Sequence, residues 1–252
     1  MVCLHGFTGS WRVWELVLPM LERRHDVLAP TLLGHAGAPP LPGKASEEAL
    51  LDAIEQAMED AGFGTAHIVG NSLGGYLALQ LAARGRARTV VALAPAGGWA
   101  PGDESFRETL DFFRRAREDL ETALPHVDAI VGTPEGRRRA TRSIVERFEH
   151  IPPELIAHVM RSVVACDAME PLIEHAIRHG WHVDAEHVTC PVRVIWGTAD
   201  QLLRWPSSAV RYREAWLPHA DWVVLDDVGH CPQLELPLET AQLILDVTAA
   251  GR

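Results

Sequence analysis

Residues 68–76 read Ile-Val-Gly-Asn-Ser-Leu-Gly-Gly-Tyr, and this stretch decides the fold. An apolar strand end leads into a Gly-x-Ser-x-Gly turn, and apolar residues at helical spacing follow the turn. A serine between glycines at such a strand-to-helix turn is pushed out of the sheet and presented to whatever lies above it. A serine hydroxyl becomes a useful nucleophile only when a neighbouring base removes its proton. The stretch therefore predicts a later histidine, an acid before that histidine, and an earlier loop of backbone N–H donors.

Two later turns supply the base and the acid. His230 follows the predicted strand 222–225 and lies in Val-Gly-His-Cys-Pro, a loop free to reach across the sheet edge. Asp200 ends the preceding predicted strand, 191–196, in Gly-Thr-Ala-Asp. Its carboxylate would hold one imidazole tautomer and stabilise the imidazolium that forms during proton transfer. Ser72, Asp200 and His230 all follow predicted strands, and open α/β sheets place their sites at the carboxyl ends of strands.

Two backbone N–H groups are predicted to bind the negative oxygen that develops when a carbonyl is attacked. The first is the amide of Leu73, directly after the serine and at a helix N-terminus. The second is the amide of Phe7, in the loop 5–10 that reads His-Gly-Phe-Thr-Gly-Ser after the short apolar strand 2–4. We expect this loop to lie beside the turn that carries Ser72.

Strands and helices alternate along most of the chain, which predicts parallel pairing with helices on both faces of a sheet. Further strands are predicted at 26–29, 66–69 and 89–93. Helices are predicted after Ser10, at Ser46–Asp60, after Ser72, at Ser207–Trp216 and from about Pro237. From 99 to 186 the pattern is almost entirely helical, with breaks at Pro125, 132–134, 152–153 and Pro171, which indicates an insertion. The predicted domains are a core at 1–98, a helical cap at 99–186 and the second part of the core at 187–252.

Composition limits the classes of function. Of the 252 residues, 47% are hydrophobic and 23% charged, as in ordinary globular proteins. The formal net charge of −11 argues against nucleic acid and anionic membranes as partners. No apolar run approaches the roughly 20 residues of a membrane span, and no signal peptide is recognised, so a cytoplasmic location is expected. The four cysteines lack metal-binding spacing, and no metal site is predicted.

In combination these motifs resemble the α/β-hydrolase superfamily. The resemblance rests on His5-Gly6-Phe7, the serine turn at 70–75, Gly197-Thr198-Ala199-Asp200 and Gly229-His230, and it covers the chain outside 99–186. It implies an α/β-hydrolase fold, a mostly parallel sheet flanked by helices with an inserted helical cap. It also implies a serine hydrolase that works through an acyl-enzyme and needs no metal or organic cofactor. The family sheet usually has two strands before the one that ends in His-Gly. We therefore expect a sheet lacking those strands, with 26–29 as an exposed edge, unless the start codon has been placed late.

The resemblance leaves the substrate open. We expect a carboxylic ester with a small-to-medium, largely apolar acyl or alcohol part. The serine turn is also similar to that of the carbon–carbon bond hydrolases of aromatic degradation, whose ketone substrates are ring-fission products, although their loop at 7–10 is richer in glycine. Residues 5–10 are similar to the menaquinone-pathway synthases of this fold, which carry an arginine where this chain has Tyr76. The alternative from a different class is a non-catalytic small-molecule receptor on the same scaffold.

The residues expected to line the substrate pocket come from the serine turn and the helical segment. They are Asn71, Trp99, Phe112, Phe113 and Met160. His5 and His35 are expected to be structural, and Cys231 is expected to be a small buried residue rather than a nucleophile. The partner is expected to be a small molecule, bound by a single chain or a homodimer.

Overall fold

Five parallel strands form one sheet within residues 1–43 and 45–250, the part of the chain that this computed structural model describes. They are β1 (Val2–Leu4), β2 (Ala66–Asn71), β3 (Ala87–Leu93), β4 (Val192–Gly197) and β5 (Asp221–Leu225). The strands lie in this order across the sheet, and each neighbouring pair is parallel. This sheet, with helices between its strands, confirms the predicted α/β class.

The central strands form from short runs of apolar, mostly β-branched residues that are buried on both faces, as parallel strands usually are. Successive side chains along a strand point to opposite faces of the sheet. One apolar core accordingly contains Ile68, Val90 and Val194. The core on the other face contains Val69, Val91 and Ile195. The sheet is therefore held from both sides.

Ten α-helices flank or follow the strands of the described chain. They are α1 (Leu18–Leu21), α2 (Glu47–Asp60), α3 (Leu73–Ala83), α4 (Ser105–Ala123), α5 (Val127–Val131), α6 (Pro134–Thr141), α7 (Pro153–Val164), α8 (Met169–His179), α9 (Pro232–Glu235) and α10 (Pro237–Ala250). Helix α2 begins as predicted, because the Ser46 side chain accepts a hydrogen bond from the amide of Ala49. Helix α3 begins directly after Ser72.

Three predicted elements differ from the structure. The strand expected at 26–29 is reduced to one parallel bridge from Leu28 to Val2, because Pro30 has no N–H to continue a ladder. The helix expected after Ser10 is split into a 3₁₀ turn, Trp11–Trp14, and α1. The helix expected at Ser207–Trp216 consists of a 3₁₀ turn, Ser207–Ala209, and a π-turn, Tyr212–Trp216. It is interrupted where the Arg211 amide donates to the carbonyl of Gly98 instead.

Helices α4–α8 lie between β3 and β4, where the sequence pattern indicates an insertion. Thr133 caps α6 by accepting from the amide of Gly136, so the predicted break at 132–134 is a helix start. Pro171 lies in the first turn of α8 rather than at a break. The division into a core at 1–98, a cap at 99–186 and a core at 187–252 stays a prediction, and residues 251–252 lie outside the described residues.

The glycines of the serine turn allow α3 to pack directly on the strand ends. A Cβ atom added at Gly74 would lie 2.2 Å from the carbonyl oxygen of Leu4 and 2.6 Å from that of His5. One added at Gly70 would lie 2.0 Å from the carbonyl oxygen of Gly74. Because backbone atoms cannot move aside as a flexible side chain can, both positions require glycine.

This packing predicts that Gly74→Ala lowers the free energy of unfolding by roughly 3 kcal/mol, the upper end of the usual overpacking cost. Gly64→Ala is the matched control, since a Cβ there meets nothing within 4 Å. We expect the control to stay within about 0.5 kcal/mol of the wild type. Urea unfolding monitored by circular dichroism measures both. Equal midpoints for Gly74→Ala and the wild type would show that α3 does not approach β1 this closely.

Candidate active site

Ser72 lies at the junction of β2 and α3 in a strained backbone conformation. Its φ of 56° and ψ of −118° belong to a region that residues other than glycine rarely adopt, at a cost on the order of 1–3 kcal/mol. The strain is held by backbone hydrogen bonds. The Ser72 amide donates to Leu93, and the Ser72 carbonyl accepts from Tyr76 and Ala96. The hydroxyl is thereby fixed above the carboxyl end of the sheet.

Asp200 and His230, the residues predicted as acid and base, form a buried pair. Nδ1 of His230 donates to Oδ2 of Asp200 over 2.7 Å, and both residues are buried. The other carboxylate oxygen of Asp200 accepts from the amides of Leu202 (2.8 Å) and Leu203 (2.7 Å). Three hydrogen bonds therefore orient the carboxylate, and the carboxylate in turn orients the imidazole.

Asn71, a predicted pocket residue, braces the loop that carries His230. Its side-chain amide donates to the carbonyls of His230 (3.1 Å) and Leu93 (3.2 Å). Its side-chain oxygen accepts from Nε2 of Gln233 over 3.0 Å. Asn71 also lines the cavity above Ser72, but its polar groups are already occupied by the protein. Gln233 is a site residue that sequence reasoning missed, since no motif marks it.

Ser72 and His230 line one cavity of about 150 Å³, which we call the larger compartment. Within the described chain, no hydrogen bond joins the two side chains; catalytic hydrogen bonds are often long before substrate binds. Of the predicted pocket residues, Asn71, Phe112, Phe113 and Met160 line this compartment. Its further lining from α7 and the segment after α6 includes Ser143, Ile144 and Val159.

A smaller compartment of about 70 Å³ meets the larger one at Ser72, Phe7, Phe113 and Leu202. Its walls are mostly aromatic and aliphatic. They include Trp99, which was predicted, and Tyr76, Leu172, Ile173 and Trp181, which were not. These residues come from separate helices and loops, so no local sequence pattern identifies them as a set.

The loop predicted to supply an oxyanion donor lies against Ser72. A Cβ atom added at Gly6 would be 3.1 Å from the Cβ of Ser72, which places the following residue, Phe7, next to the serine. The loop is held by His5, whose Nε2 accepts from the amide of Leu32 over 2.9 Å. Nδ1 of His5 donates to the carbonyl of Gly6 over 2.8 Å. The Leu73 amide begins α3, where first-turn N–H groups have no partner inside the helix.

Across residues 1–43 and 45–250, the His, Cys, Asp and Glu side chains form no group of three or more suited to holding a metal ion. No helix in the same part of the chain is long and apolar enough to cross a membrane.

Comparison with known proteins identifies the family. A sequence model described as "alpha/beta hydrolase fold" matches residues 1–237. The chain belongs to the α/β-hydrolase family. This hydrolase is 32% identical over 200 residues to "Epoxide hydrolase EphH" of Mycobacterium tuberculosis, covering 79% of the chain and 93% of that relative.

Two other comparisons extend over nearly the whole hydrolase. It is 28% identical to "Pimeloyl-[acyl-carrier protein] methyl ester esterase" of Aromatoleum aromaticum, covering 98% of the chain and 97% of the relative. The structure of "a putative lipase (lip1) from Acinetobacter baumannii" superposes with a TM-score of 0.76 at 19% identity, covering 99% of this chain and 83% of that one. At 19% identity, the likeness to this lipase structure supports the fold alone.

Burial of His5 predicts a pH dependence of stability. Burial lowers the pKa of His5 to about 3, below its ordinary 6.5, because the interior disfavours the imidazolium. As the pH falls below 6.5, the unfolded chain therefore takes up a proton at His5 that the folded chain does not. Above pH 6.5 His5 does not lower the free energy of unfolding. Between pH 6.5 and pH 3, His5 alone lowers it by up to about 1.4 kcal/mol per pH unit.

Urea unfolding between pH 7 and pH 4 tests this dependence. We expect His5→Gln to be less stable at pH 7 but to lose stability less steeply on acidification. The matched control is His219→Gln, which changes an exposed histidine instead of a buried one. Parallel curves for His5→Gln and the wild type would mean that His5 becomes protonated in the folded protein.

Proposed function

We propose that this protein is a serine hydrolase that cleaves carboxylic esters through an acyl-enzyme. The observation that carries the proposal is the buried 2.7 Å hydrogen bond between Asp200 and His230, at a cavity that His230 shares with Ser72. A buried imidazole that is held by a carboxylate and shares a cavity with a strained serine supports nucleophilic rather than purely binding chemistry.

The proposed mechanism follows from the roles of these groups. Ser72 attacks the ester carbonyl while His230 takes the serine proton through Nε2, and Asp200 stabilises the imidazolium. The amides of Phe7 and Leu73 bind the oxyanion; losing one such donor typically costs about 10²–10³ in rate. His230 then protonates the leaving alcohol, and an acyl-Ser72 ester remains. Water activated by His230 hydrolyses that ester, and the carboxylic acid and free serine are released.

We assign the two parts of the ester to the two compartments. His230 lines the larger compartment only, and it must reach the leaving oxygen to protonate it. The alcohol part of the substrate is therefore placed in the larger compartment. We place the acyl part in the smaller one, which Leu73 also lines. The proposed substrate is an ester of a short acyl group with a bulkier apolar alcohol.

The geometry of the site also bears on other activities. A relative's name suggests epoxide hydrolysis. A serine that opened an epoxide would form an ether, which lacks the carbonyl that water attacks to release an acyl-enzyme, so Ser72 disfavours that route. Hydrolysis of ring-fission ketones and a receptor role remain alternatives, and turnover of a dienone far above esters would favour the first. A cytoplasmic location, a small-molecule substrate and a homodimer remain proposals.

Labelling with a fluorophosphonate probe tests the nucleophile. We expect stoichiometric labelling of the wild type and none of Ser72→Ala, because the probe reacts only with an activated serine. Ser143→Ala is the matched control, since Ser143 lines the same compartment, and it should label like the wild type. Labelling that survives Ser72→Ala, or absent labelling of folded wild type, would overturn the proposal.

Two substitutions test the assignment of the compartments. Trp181 lines the smaller compartment and Met160 the larger. Trp181→Ala should raise the kcat/KM for p-nitrophenyl octanoate relative to the acetate by about tenfold, within the range that one or two methylenes control. Met160→Ala should instead raise the kcat/KM for naphthyl acetate relative to phenyl acetate. If Met160→Ala favoured the longer acyl chain and Trp181→Ala favoured the larger alcohol, the acyl and alcohol parts would occupy the opposite compartments.

A further inference from the structure

Glu235 is a buried carboxylate without a role in the mechanism above. Its side chain has no exposed surface, and its Oε1 lies 3.9 Å from the guanidinium of Arg147. An isolated carboxylate is costly to bury. It ends the short helix α9, five residues after His230. One of its oxygens, Oε2, accepts from the amide of Gly229 (2.9 Å) and from the amide of Glu146 (3.0 Å). The carboxylate thus joins the residue before His230 to the segment between α6 and α7.

With the Glu235 contact, the backbone of each of the residues 229–231 is hydrogen-bonded to another part of the chain. Glu235 binds the N–H of Gly229, and Asn71 binds the carbonyl of His230. The N–H of Cys231 donates to the carbonyl of Ile144 over 2.9 Å. The backbone on both sides of the His230 side chain is therefore fixed by polar partners.

The segment 144–150 packs closely on the His230 loop. A Cβ atom added at Gly229 would lie 2.8 Å from the Cα of Val145, so no side chain fits between them. Nε2 of His150 donates to the carbonyl of Leu234 over 2.8 Å. Ile144 also lines the larger compartment, so the same segment contacts both the His230 loop and the substrate space.

We propose that Glu235 is a positioning residue that fixes His230 relative to Ser72 and ties it to segment 144–150. The inference rests on the proposed function, since it assigns Glu235 an effect on the base. A misplacement of about 1 Å at such a distance from the chemistry can cost about 10²-fold in rate. Because Glu235 does not contact the substrate space, its loss should lower kcat and spare KM.

Glu235→Leu and Glu235→Gln test the proposal on the full-length protein with p-nitrophenyl acetate. Glu235→Leu removes both hydrogen bonds, and we expect kcat to fall about 100-fold with KM within about threefold of the wild type. Glu235→Gln keeps an oxygen that can accept from both amides but loses the charge, which weakens the bonds. It should restore most of the rate and leave a loss of about three- to tenfold.

Ile244→Val is the control for simple destabilisation, since Ile244 is fully buried in α10. It should lower the melting temperature and leave kcat unchanged. A folded Glu235→Leu variant with kcat within threefold of the wild type would overturn the proposal. If Glu235→Leu does not fold, Glu235→Gln provides the test. A kcat equal to that of the wild type in Glu235→Gln would then overturn the proposal.

Fluorophosphonate labelling separates this inference from the proposed function. If the wild type labels at Ser72 and Glu235→Leu labels at the same rate, only the role of Glu235 fails. If the folded wild type does not label at all, the nucleophile itself is wrong. A labelling rate that falls in parallel with kcat supports both.

Discussion

The close contact of α3 with the ends of β1 and β2 is the constraint on which the site depends. Gly70 and Gly74 remove the side chains that would hold the helix away, and the chain between them must turn sharply. Ser72 absorbs that turn as a positive φ. The strain is stored at the residue with the proposed chemistry, and surrounding hydrogen bonds and packing keep it there. The same turn leaves the Leu73 amide at the free end of a helix.

Around this turn, buried polar groups bind backbone groups, some of them close in sequence and others distant. Asp200 takes two amides from its own loop, and His5 joins the loop 5–10 to Leu32. Asn71 and Glu235 bind the backbone on either side of His230. Because an unsatisfied polar group in the interior costs about 1–3 kcal/mol, each such group also specifies one arrangement of the loop it binds. Rigidity at the site is thus a consequence of burial.

Much of the fold follows from the sequence because its signals are local. The serine turn, the apolar runs of β2–β4 and the Ser46 cap each depend on neighbouring residues, and the structure has all of them. The segment 26–29 has the composition of a strand, but Pro30 stops its pairing after one bridge. Gln233, Glu235 and most walls of the smaller compartment, apart from Trp99 and Phe113, were not predicted. Their roles arise only where segments far apart in sequence meet.

The proposed triad could be chosen from chain order, yet the substrate could not, because the two compartments are built from helices whose packing no motif encodes. The central claim is that Ser72 carries the acyl group. Acid quenching during turnover of p-nitrophenyl acetate, followed by peptide mass mapping, tests it most directly. We expect one acetyl group on the peptide that contains Ser72. Turnover with no acetyl-enzyme, or with acetyl on another side chain, would contradict the account.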